Sequence, residues 1–85
     1  MDMNYRVSRE LINGQCDVFF YQDDLASAKR FMTRMKNEKK IRTIWAELQG
    51  TDFDKDESYK PIYGFERETI EVLGTKVATG RIIEY

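Results

Sequence analysis

The stretch Asp23-Asp24-Leu25-Ala26-Ser27-Ala28-Lys29-Arg30-Phe31-Met32-Thr33-Arg34-Met35-Lys36-Asn37-Glu38-Lys39-Lys40 decides the fold. Turned through about 100° per residue, it gathers Leu25, Ala28, Phe31, Met32 and Met35 into one apolar stripe and sets Arg30, Thr33, Arg34 and Asn37 opposite. Asp23 or Asp24 stands where an N-cap acceptor belongs, and lysines collect at the far end, so both ends complement the helix dipole. One amphipathic helix ending near Lys39 or Lys40 is expected. Its stripe needs an apolar surface to lie on.

Upstream, Tyr5, Val7 and Leu11 alternate with Arg6, Ser8 and Glu10, the period of a half-buried strand, and Arg9 interrupts the pattern. Asn13-Gly14 then signals a hairpin, with the second strand over 15–21. Two registers are available. A two-residue turn places Leu11 opposite Cys16, Val7 opposite Phe20 and Arg9 opposite Val18, but also sets Glu10 against Asp17, a like-charge pair costing a few tenths of a kcal/mol. A three-residue turn with a bulge sets Arg9 against Asp17 and Val7 against Phe19. The first makes one mostly apolar face and is the expectation, with Cys16, Val18 and Phe20 beneath the helix and Phe19 and Tyr21 on the open face.

Downstream, Ile44, Ala46 and Leu48 alternate with Thr43, Trp45 and Glu47, which directs the aliphatic side inward and Trp45 outward. Residues 50–60 read as an acidic loop closed by Pro61. Residues 62–73 read as one long strand, or two broken near Gly64, and 76–85 return after a Gly74-Thr75 turn that sets Val72 against Val77 and Glu68 against Arg81. The expected architecture is a single small α+β domain over 1–85, ββαβββ, with one antiparallel or mixed sheet, the helix on one face, and residues 1–4 frayed. The expected core is Val7, Leu11, Cys16, Val18, Phe20, Leu25, Ala28, Phe31, Met32, Met35, Ile44, Ala46 and Leu48, with Ile70, Val72 and Ile82.

The 85 residues suffice for one core and no more. There is no eighteen-residue apolar run and no export signal, and the lone cysteine, Cys16, forms no internal disulfide, so a cytoplasmic location is expected. Histidine is absent, which removes imidazole bases, Ser-His and Cys-His nucleophiles and imidazole zinc ligands. No catalytic residue, metal or cofactor is expected. Asp52-x-Asp54-x-Asp56 has the opening spacing of a calcium loop, but Glu57 stands where that loop needs glycine and Tyr63 where it needs glutamate. An enzyme reading would require carboxylates such as Glu66 and Glu68 to converge in a cleft, whereas two glutamates on a strand ordinarily face solvent.

Net charge is −1, yet it is segregated: residues 28–45 hold seven basic and one acidic group, and residues 46–72 three basic and eight acidic. Such blocks either pair with each other or steer partners. The expected function is a non-enzymatic protein-interaction module, binding a protein partner or itself as a homodimer through Phe19, Tyr21 and Trp45 and the acidic border Glu47, Asp52, Asp54 and Asp56. A bland alternative is that Phe53, Tyr59 and Tyr63 fold over those rings. A small regulator or inhibitor would suit this description, including one encoded by a phage or other mobile element against a host nucleic-acid-processing protein. The alternative function is nucleic-acid binding through Lys29, Arg30, Lys36, Lys40 and Arg42, with Lys29, Lys36 and Lys40 as one row on the helix. No membrane contact is expected.

Overall fold

Alternating strands and glycine-containing turns build one sheet, and the amphipathic segment lies across it. The computed structural model describes residues 3–52 and 56–85. Its elements are β1 (Met3–Leu11), β2 (Cys16–Gln22), α1 (Leu25–Lys36), β3 (Thr43–Asp52), β4 (Asp56–Val72) and β5 (Thr75–Glu84). The strands form a single sheet in the order β2-β1-β3-β4-β5, every neighbouring pair antiparallel. The fold is thus α+β with one helix on one face of a five-stranded antiparallel sheet.

The first hairpin takes the other register. The Gly14 amide donates to the Leu11 carbonyl and the Leu11 amide to the Gln15 carbonyl, both at 2.8 Å, closing a three-residue loop in which Gly14 sits at φ +89°. Glycine reaches that backbone region without the penalty of a Cβ. The Asn13 side chain accepts from the Gln15 amide at 2.9 Å. Arg9 is therefore opposite Asp17 and Val7 opposite Phe19. The choice exchanges the Glu10–Asp17 repulsion for an Arg9–Asp17 ion pair at 3.0 Å, with the Arg9 guanidinium also 4.9 Å from the Phe19 ring centre.

That one-residue difference turns every β2 side chain over. Phe19 meets Phe31 of α1 edge to face at 4.8 Å, and Tyr21 packs against the core. Cys16, Val18 and Phe20, expected under the helix, stand exposed on the open face.

The core consists of Val7, Ala28, Met32, Met35, Ala46, Leu48 and Phe65, with Tyr5, Tyr21, Leu25, Phe31, Tyr63 and Ile82 around it. Ile44 is buried as expected and Leu11 only half so, while Ile70 and Val72 are exposed. Phe65 was not among the expected core residues. It and the half-buried Tyr63 extend the apolar floor into β4.

Helix α1 begins at Asp24, whose carboxylate accepts from the Ser27 amide at 3.0 Å. It stops at Lys36, short of Lys39–Lys40, because the Glu38 carboxylate accepts from the amides of Arg42 (3.3 Å) and Thr43 (3.2 Å) and turns the chain into β3. The expected loop over 50–60 is largely strand, since β3 runs to Asp52 and β4 starts at Asp56. Pro61 sits inside β4 where its register with β3 shifts between Leu48 and Gln49, a place in a ladder that tolerates proline. Met3 and Asn4, expected to fray, pair with Asp52 and Thr51.

Candidate partner-binding surfaces

Strand β4 pairs with β3 as far as Glu66 and continues for six residues in which, among the described residues, β5 alone pairs with it. At the root of this projection, Thr79, Gly80 and Arg81 oppose the single residue Glu68. The Thr79 hydroxyl donates to the Glu68 carboxylate at 3.1 Å, and the Arg81 guanidinium lies 3.5 Å from it. Beyond this irregularity a two-stranded ribbon runs from Thr69 to Ala78, turning at Leu73-Gly74 rather than at Gly74-Thr75. The turn pairs Val72 with Thr75 and Ile70 with Val77, not Val72 with Val77.

Directly paired residues share a face, so Ile70, Val72, Thr75 and Val77 form one side of the arm and Thr69, Glu71, Lys76 and Ala78 the other. Thr69 and Lys76 from the polar side border a cleft at the arm's root, together with Glu10, Ile44, Trp45 and Glu66. The apolar side is turned away from that cleft, and Ile70, Val72 and Val77 are all exposed. At the tip Leu73 is fully exposed and adopts φ +52°. A leucine there gains nothing from burial and carries about 1–2 kcal/mol of backbone strain.

The expected aromatic face is dispersed. Phe19 and Tyr21 are under the helix, which leaves Trp45 of the three on the open face. The Trp45 indole donates to the Tyr85 hydroxyl, and the Tyr85 ring lies so close over Gly64 that an added Cβ there would come within 2.6 Å of it. Glu47, also on this face, accepts from Gln49 at 2.6 Å, and Gln49 in turn accepts from Arg6. Tyr59 covers Arg6, with the guanidinium 4.1 Å from its ring centre, while Tyr63 is on the helix side. Asp52 closes β3 opposite Asp56, the first residue of β4. Phe53 and Asp54 lie outside the described residues.

The basic set is equally divided. Lys29 and Lys36 border a groove of about 430 Å³ between α1 and β4 whose floor includes Met32, Leu48, Ile62 and Tyr63. Lys36 is ion-paired with Glu84, and Tyr63 donates to the same carboxylate at 2.6 Å. The Lys36 hydrogen bond, followed by that of Tyr63, lowers the Glu84 pKa. The Glu84 bond raises that of Lys36, and burial raises that of Tyr63. Arg30 donates to Ser27, and Arg42 lies 3.7 Å from Glu38. Lys40 falls beyond the helix, so the row expected of Lys29, Lys36 and Lys40 ends at Lys36.

Sequence reasoning missed Arg67, which is 5% exposed and reads as surface between Glu66 and Glu68. Its guanidinium donates to the carbonyls of Thr43, Met35 (2.8 Å) and Lys36 (2.5 Å), and burial lowers its pKa. A cation at the last carbonyls of a helix complements their partial charge. Arg67 thus ties the end of α1 and the start of β3 to the root of the arm.

Among the described residues, no three or more acidic or cysteine side chains are placed to hold a metal ion, and no helix is long and apolar enough to cross a membrane. Comparisons with protein-family models, with curated proteins and with solved structures find no match.

Proposed function

We propose that this chain is a non-enzymatic protein-interaction module that grips a protein partner with the β4–β5 arm. The observation that carries this reading is the apolar face of Ile70, Val72 and Val77, capped by a strained, fully exposed Leu73, on a ribbon that no third strand joins among the described residues. An isolated two-stranded hairpin is marginally stable in water, and grouped apolar side chains held out in solvent are a feature of interaction sites. Glu68 and Arg81 at its root, and Glu71 and Lys76 on its other face, supply a polar rim. Such a module would act as a regulator or inhibitor in the cytoplasm, and a nucleic-acid-processing protein of a phage or mobile-element host is the target class we favour. The pairing of Lys36 with Glu84 and of Arg42 with Glu38 weighs against the nucleic-acid alternative.

The test is affinity capture from the native lysate with the wild-type chain and with a Leu73→Asn, Ile70→Thr, Val72→Thr variant, at low and moderate salt and with nuclease. A stoichiometric protein that survives salt and nuclease and is lost with the variant supports the reading. Material that leaves with nuclease, or a protein held equally by both chains, contradicts it.

A further inference from the structure

The two outermost strands treat their free edges differently. On β5 the edge is broken at 79–81, where Gly80 takes φ +95°, and it carries Lys76, and both features hinder strand addition. Strand β2 has neither. Cys16–Gln22 runs seven residues without Pro, Gly, Lys or Arg, and among the described residues nothing pairs with it on the side away from β1.

Hydrogen-bond alternation fixes which backbone groups are left over. The Leu11 amide donates to the Gln15 carbonyl and the Asp23 amide to the Met3 carbonyl, each at 2.8 Å, so odd-numbered positions of β2 bond to β1. The N–H and C=O of Cys16, Val18, Phe20 and Gln22 therefore point outward along the edge. The side chains of the same four residues are exposed on the open face, Phe20 at 70%.

We propose that this edge is an interface between two copies of the chain, in which β2 pairs antiparallel with β2 of a second copy about a two-fold axis at Phe19. In that register Cys16 faces Gln22 and Val18 faces Phe20 of the second copy, and each pair occurs twice. All four outward-pointing residues on each strand are used, forming about eight backbone hydrogen bonds. Val18 and Phe20 make two apolar cross-strand contacts on the open face. No like charges face each other: Asp17, ion-paired with Arg9 of its own chain, faces the uncharged Tyr21 of the second copy. Centring the axis on Phe20 instead would set Asp17 against Asp23 of the second copy and leave Cys16 unpaired. Centring it on Val18 would carry Gln22 past the strand to Gly14. The two sheets join into one, with both helices on the same face and both arms free, so the interface is independent of the arm and its failure leaves the arm reading standing.

The full-length chain is examined by light scattering after size exclusion over a concentration series, alongside Val18→Pro and Gln22→Cys. Val18→Pro removes an outward N–H that β1 does not use. Gln22→Cys sets a thiol opposite the native Cys16 of the second copy, at the strand spacing of about 5.5 Å that a disulfide spans. The expected results are a wild-type mass of twice 10.1 kDa, a monomer with unchanged far-UV circular dichroism for Val18→Pro, and an oxidised, reductant-sensitive dimer for Gln22→Cys that the wild type does not form. A wild-type monomer at every concentration overturns the proposal, including one that binds a foreign extended peptide along β2. So does a dimer in which Gln22→Cys fails to cross-link. Should Val18→Pro not fold, the cross-link decides alone.

Discussion

The Arg67 guanidinium donates to the Met35 carbonyl at 2.8 Å, across thirty-two residues of sequence, and so joins the end of the helix to the root of the projecting arm. Met35 is itself in the core, so this bond ties the arm's orientation to the packing of the domain. Arg67→Met would keep most of the stem while leaving the carbonyls of Thr43, Met35 and Lys36 without their donor. A loss of about 2–3 kcal/mol is expected in urea denaturation. Arg67→Lys should recover only part of it, because an ammonium cannot reproduce the planar fork.

Phe19 and Phe20 are adjacent, identical in type and opposite in environment. Phe19→Ala removes the edge-to-face contact with Phe31 and should cost about 2–4 kcal/mol. Phe20→Ala, measured below the concentration at which copies associate, should change stability by less than about 0.5 kcal/mol. Equal effects, or the reverse order, would mean that the hairpin holds the two-residue register.

At the arm's tip, stability and binding should move in opposite directions. Leu73→Asn relieves a positive φ that asparagine tolerates, and thermal unfolding should show a gain of about 0.5–1 kcal/mol. The same substitution should weaken capture of the protein partner, because the exposed apolar tip is removed.

The Lys36–Glu84–Tyr63 cluster predicts the acid limb of the stability curve. Glu84 titrates below its unfolded value of 4.5, so its contribution is whole above pH 4.5 and is lost as pH falls through the lower folded value. Lys36 is raised above 10.5, so its part persists below pH 10.5 and disappears as pH climbs through the raised value. Glu84→Gln should flatten the decline below pH 4.5 in denaturation measured at stepped pH, and salt should shrink the difference because the pair is solvent-exposed.

Much of this architecture was legible in the chain. The stripe Leu25-Ala28-Phe31-Met32-Met35 and the alternation of Ile44-Ala46-Leu48 yield the helix, its buried face and the inward side of β3. The first hairpin was harder, because Asn13-Gly14 suits either loop length and Phe19-Phe20 presents an aromatic ring to either face. The deciding signal was Asp17, which meets Arg9 in one register and Glu10 in the other, and charge outweighed the count of apolar residues. Ile70, Val72 and Val77 have the spacing of core residues, and sequence alone does not reveal that β3 has ended beside them. Arg67 was hidden between two glutamates, since a buried cation served by backbone carbonyls needs no acidic partner in the pattern. The site expected at Phe19 and Tyr21 moved under the helix with the register, and the exposed apolar surface reappears on the arm and at Val18 and Phe20.

The most direct measurement is amide hydrogen exchange on the free protein and on the complex recovered from its native lysate. Amides of the ribbon 69–78 are expected to exchange rapidly in the free chain and to become strongly protected in the complex. Protection that leaves 69–78 unchanged and appears instead along α1 from Lys29 to Lys36 would contradict it.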